Sequence, residues 1–186
     1  MSEAVAAEAG TDGVVLILRP GGAMQGIVLD SQTQRPSAAA VTISGQNDPK
    51  LGVHLAVSKD DGLFRGQGLE PGTYALCAHT SDGRYGILRD VEVQVGGEAA
   101  DLVIALAAGS RLRLRYEGEE EYASVAVLQD DAVIAFDGVQ KGHTVEWTVA
   151  PGSLTVRFHT RSAPTARERT LELAVGETQE VVLGED

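Results

Sequence analysis

The sequence predicts an all-β protein built as two tandem β-sandwiches. Three observations carry this: alternation of apolar and polar residues, turn residues at short intervals, and an internal repeat. "RLRLRY" (111–116) alternates strictly, with Leu112, Leu114 and Tyr116 on one face and arginines on the other. "VEVQV" (91–95), "TVEWTV" (144–149) and "LELAV" (171–175) do the same with Val91, Val93 and Val95, with Val145, Trp147 and Val149, and with Leu171, Leu173 and Val175. A period of two over a short run is the mark of a half-buried strand. Turn residues recur at Gly21-Gly22, Asn47-Asp48-Pro49, Asp61-Gly62, Pro71-Gly72, Asp82-Gly83 and Gly96-Gly97. Many short strands separated in this way read as a sandwich or barrel, and no long segment shows helical periodicity.

Taken in order, residues 1–13 are small, acidic and polar and read as a flexible lead. "VVLIL" (14–18) reads as an extra strand, resembling the last strand of a preceding unit. A strand of that kind seeks a free sheet edge, so self-association through residues 14–19 is one expected mode of partnership. The repeat then sets the domains. "LEPGTYAL" (69–76) matches "VAPGSLTV" (149–156), and "VEVQVGGEAADLVIAL" (91–106) matches "LELAVGETQEVVL" (171–183). "LILRPGGAMQGIV" (16–28) matches "VIALAAGSRLRLRY" (103–116). The expected domains are therefore 14–107 and 108–186. The short junction "LAAGS" (106–110) predicts closely coupled units.

The first copy carries Gly26-x-Val28, Ala40-x-Val-x-Ile43, Asp61-Gly62-x-Phe64, Leu69-x-Pro-Gly-x-Tyr74 and Gly97-Glu98 before a closing strand. With these marks it resembles a bacterial carboxypeptidase regulatory-like domain of the transthyretin-like, prealbumin-like group, related to Cna-B-type repeats. The second copy keeps Pro151-Gly152 and Gly176-Glu177 but lacks the Asp-Gly-x-Phe turn. The resemblance implies a seven-stranded Greek-key, immunoglobulin-like sandwich found in multi-domain secreted or surface proteins, and it implies no catalytic residues. The expected function is a non-catalytic structural or interaction module of a larger exported protein, acting as spacer and as protein- or glycan-contact domain. The alternative is an accessory domain assisting an enzyme elsewhere in the polypeptide.

Composition excludes some partners. The formal charge is −12 over 186 residues, which opposes phosphate backbones and anionic lipid. No apolar run is long enough for a membrane-spanning helix. The N-terminus has no charged segment followed by an apolar one, so it does not read as a signal peptide. The single cysteine, Cys77, permits no internal disulfide and reads as a small strand residue.

Several constellations invite a chemical reading, and no catalytic, cofactor-binding or metal residue is expected. Asp60 and Asp61 are two adjacent carboxylates where calcium wants six to eight oxygens, and Asp61-Gly62 reads as a hairpin turn. Asp130-Asp131 is weaker still. His143 and Glu146 spell H-x-x-E, but three residues along a strand turn the side chains to opposite faces. No G-x-S-x-G elbow supports a Ser-His-Asp triad. Cna-B-type relatives carry a Lys–Asn isopeptide, yet of the residues available here (Lys50, Lys59, Lys141 and the lone Asn47) Asn47 lies in a turn-like stretch with Pro49, three residues from Lys50, and not in a closing strand. Exposed loop candidates for contact are Arg84, Tyr85 and the tract "EGEEEY" with Tyr122. Trp147 reads as core. The paired stretches "PGTYALCAHT" and "PGSLTVRFHT" place His79 and His159 on strand faces turned away from the core.

Overall fold

The computed structural model describes residues 20–46, 53–130, 132–163 and 165–184. The apolar segment 14–19 and Asn47 with Lys50 lie outside them. The described residues form strands joined by turns and short connections. The first half contains β1 (Gly22–Asp30), β2 (Ala39–Gly45), β3 (Val53–Ser58), β4 (Leu63–Leu69), β5 (Gly72–His79), β6 (Arg84–Val93) and β7 (Glu98–Ala108). The second contains β8 (Ser110–Tyr116), β9 (Tyr122–Gln129), β10 (Ala132–Gln140), β11 (Thr144–Val149), β12 (Gly152–His159), β13 (Arg167–Leu173) and β14 (Thr178–Leu183).

Strand order in the first half is β3-β2-β5-β6-β7-β1-β4. The turn of the sheet lies at β6 and β7, which pair at Arg84–Ala108 and Tyr85–Ala107. Two layers thereby face each other over a core containing Met24, Val41, Ile43, Tyr74, Leu76 and Ile104. In the second half the layers are β10-β9-β12-β13 and β11-β8-β14. This is the order of the first half with seven added to every strand number. In both halves the first and last strands pair in parallel, β1 with β7 and β8 with β14, while the other pairings are antiparallel.

Alternation explains most of the burial. Leu112, Leu114 and Tyr116 are buried and the arginines of β8 are exposed. The pattern stops short in two places. Val95 and Val175 are 62% and 66% exposed, because β6 ends at Val93 and β13 at Leu173. Both valines fall in the turns that carry the chain to the opposite layer. Asp61-Gly62 likewise differs from expectation. Gly62 has φ +72° and its N–H donates to the Lys59 carbonyl at 2.7 Å, so a tight turn forms. Its strands β3 and β4 lie at opposite ends of the sheet order, however, so the turn crosses between layers and makes no hairpin.

The largest departure lies between the halves. Ala75 and Cys77, on the face of β5 expected to meet solvent, are fully buried. Cys77 and Tyr85, with Ile87 against them, pack into the core formed by Leu114, Val127, Ala135 and Val156 of the second half. Strand β10 lies across β2 and β5. Arg89 donates to the Gln129 carbonyl at 3.2 Å and pairs with Asp130 at 3.0 Å, while the Gly109 N–H donates to the Gly83 carbonyl at 3.0 Å. One residue, Gly109, separates β7 from β8.

Candidate functional site

The covered face of β5 leaves a cleft at its rim. His79 ends β5, pairing with Ala40 on one side and Tyr85 on the other. It is half-buried, and desolvation holds its imidazole below the usual 6.5. Two adjoining cavities share His79 and Trp147. One, about 370 Å³, is completed chiefly by Thr42, Val53, Leu55 and Phe136. The other, about 490 Å³, is bordered by Ala40, Ser58, Thr80, Arg111 and Glu146.

Local strand geometry places these groups. In β10 the register shifts between Val133 and Ala135, after which Ala135 and Val139 are buried while Phe136 is 57% exposed. In β3, Ala56 and Ser58 are buried and Val53, Leu55 and Val57 form an exposed row, Leu55 at 82%. Trp147 is half-buried in β11, packed partly against the second core and partly open to the cleft. Reading it as core was therefore incomplete: its β11 face meets the edge of the core where the two halves diverge. Beside it Glu146 accepts from Arg111 at 3.1 Å and from Arg113 at 2.6 Å, which lowers its carboxyl from the ordinary range.

The other sequence candidates lie elsewhere. His143 Nδ1 is 3.2 Å from the Lys141 carbonyl, whereas Glu146 is held by arginines, so H-x-x-E is not brought together. Asp61 accepts from the Leu63 N–H at 3.0 Å as a turn carboxylate. Asp130 is paired to Arg89, and Asp131 lies outside the described residues. Among the described residues no cluster of three His, Cys, Asp or Glu is placed to hold a metal. Cys77 accepts from the Tyr85 hydroxyl at 3.5 Å, and burial pushes its thiol up to about 11.

Arg84 and Tyr85 require correction as loop candidates. Both belong to β6. Tyr85 is buried, because its ring enters the core between the halves. Arg84 bridges Asp30 at 2.9 Å and Asp82 at 3.0 Å and donates to Ser37, a network that ties the β1–β2 connection to the β5–β6 turn. Hydrogen bonds from Thr33 and Gln32, with Arg84 assisting, lower the Asp30 carboxyl to about 2. Tyr122 is exposed at 56%, as expected, but it opens strand β9 and is not a loop residue either.

His159 is exposed and lines a separate pocket of about 250 Å³ with Glu120, Thr160 and Ser162. A serine, a histidine and a carboxylate thus share one pocket. Their bonding is not that of a triad, in which the histidine stands between the other two. Here Glu120 accepts directly from the Ser162 hydroxyl and, at 2.9 Å, from its N–H, and these bonds lower its carboxyl to about 2. The carboxylate pins a loop. What sequence reasoning missed was the cleft itself. The available signal was the run Tyr74–Ala78, apolar on both faces, where the matching β12 has Thr155 and Arg157.

No family model and no curated protein matches the chain. Solved structures do. The TIE protein of Bacillus anthracis matches 89% of the chain at 13% identity with a TM-score of 0.35, and the chain spans 34% of that protein's length. The minor pilin GBS52 of Streptococcus agalactiae matches 87% at 9% identity and a TM-score of 0.32, over 94% of its own length. A DUF3823 family protein from Parabacteroides merdae matches 84% at 9% identity and 0.34, over all of its length. These similarities are too distant to transfer an activity.

Proposed function

We propose that the chain is a non-catalytic structural and interaction module: two tandem copies of one sandwich, 14–107 and 108–186, welded into a stiff pair that spaces and presents a contact surface. The observation that carries this reading is the shared core. Cys77 and Tyr85 of the first half are buried among residues of the second. Separating the halves would expose that apolar surface, at about 25 cal/mol per Å². Inter-domain motion is the default expectation unless the interface is large and apolar. The carboxylates near the two histidine-lined pockets are engaged in loop and strand bonds, Glu120 with Ser162 and Glu146 with Arg111 and Arg113. We extend the proposal to an exported setting within a larger protein, on the strength of the sequence resemblance alone.

Small-angle scattering tests the stiffness. One rigid arrangement should fit the scattering curve of the full chain without an ensemble. Residues 108–186 expressed alone should be less stable than in the full chain and expose apolar surface to a dye. A flexible dumbbell profile, or an isolated second half as stable as in the full chain, overturns the reading.

A further inference from the structure

The cleft at His79 and Trp147 sets exposed aromatic and aliphatic side chains beside a single ion pair. The chain carries a formal charge of −12, yet the charged side chains lining the two cavities are Arg111 and Glu146, bonded to each other at 3.1 Å. The lining is electrically balanced. Its apolar part contains two aromatic rings, Trp147 and Phe136, with the 82%-exposed Leu55 at the edge. The cavity volumes of about 370 and 490 Å³ fall within the range of small-molecule sites, roughly 300–1,000 Å³.

These features narrow the occupant. An anion would have to compete with Glu146 for Arg111, and a cation would find that carboxylate already taken by Arg111 and Arg113. A wholly apolar ligand would strip water from the Arg111–Glu146 pair without replacing its hydrogen bonds, a costly desolvation. A sugar ring has an apolar C–H face and a rim of hydroxyls. The first suits an aromatic side chain, and the second suits a guanidinium that donates beside a carboxylate that accepts. A flat protein surface would meet the exposed row Val53, Leu55 and Val57 but would reach the recessed Trp147 poorly.

We propose that this cleft binds a neutral saccharide, with ring faces against Trp147 and Phe136 and hydroxyls at Arg111 and Glu146. The proposal deepens the interaction-module reading and rests on it. Trp147 is the one tryptophan in the chain, so its emission reports on the cleft alone. The experiment titrates the full chain with neutral hexasaccharides of α-1,4-glucose, β-1,4-glucose, β-1,4-xylose, β-1,4-mannose and β-1,4-N-acetylglucosamine, beside an array of neutral and acidic glycans. At least one neutral glycan should shift Trp147 emission saturably. Phe136→Ala, at an exposed position, should weaken that binding about tenfold, or 1.4 kcal/mol, with an unchanged melting temperature. Calorimetry should show a comparable loss for Trp147→Phe. Three outcomes overturn the proposal: no neutral glycan bound, binding confined to acidic glycans, or binding indifferent to both substitutions. Concentration-dependent self-association that Leu55→Ser abolishes, with no glycan bound, would make the cleft a protein contact. Scattering still consistent with one rigid pair would then leave the structural reading intact while the saccharide fell.

Discussion

His79 and His159 occupy matching places in β5 and β12 and meet opposite environments. His159 stands in solvent with Arg157 on its face. His79 shares its face with buried Ala75 and Cys77. Its folded-state value lies below 6.5 because burial disfavours the charged ring. The neutral form therefore contributes stability above pH 6.5, and this is lost as pH falls from 6.5 towards the folded value. The His79 Hε1 resonance should titrate with a midpoint below 6.5, and His79→Gln should flatten the decline in melting temperature over that window. A midpoint at or above 6.5 would contradict the burial. None of this was legible from period two alone. Alternation assigns a residue to a face, but it does not say what the face meets.

At the scale of elements, sequence reading did best where a strand has one wet side. The arginines of β8 and the polar face of β12 announced their registers directly. It did less well where β-bulges intervene, since an inserted residue reverses the alternation downstream. β6 has such an irregularity opposite Tyr74 and Leu76, with Asp90 at φ +57° and its N–H donating to the Gln46 side chain at 3.0 Å. β10 has another, which turns Phe136 outward. β1 shows why one residue of the sequence motif is small. A Cβ on Gly26 would come within 2.3 Å of the Leu102 carbonyl oxygen and 2.8 Å of the Phe64 ring. Gly26→Ala should force β7 or Phe64 to shift and cost roughly 1–3 kcal/mol in denaturant unfolding. A neutral effect would mean that β1 and β7 are less closely apposed.

At the scale of the molecule, the repeat set the expectation of two copies, and the strand orders of the two halves correspond. It could not predict their joint, because the joint is where the copies differ. β5 lacks the polar outer face that β12 has, and the second half covers it. The cleft follows from this asymmetry. Two independent sandwiches would have left Trp147 on one unit and His79 on another, with nothing between them.

The parallel pairing of β1 with β7, and of β8 with β14, has a mechanical consequence. Tension on the two ends of a half enters at the start of its first strand and leaves at the end of its last. These strands are neighbours running the same way, so the load slides one past the other and strains their hydrogen bonds together instead of one by one. Because β7 passes to β8 through Gly109 alone, the two clamps stand in series. Pulled end to end in a force spectrometer, the chain should break at higher force than when pulled across β12 and β13, an antiparallel pair that would unzip. A molecule of this build would hold its length under shear flow and yield only when a whole clamp slips.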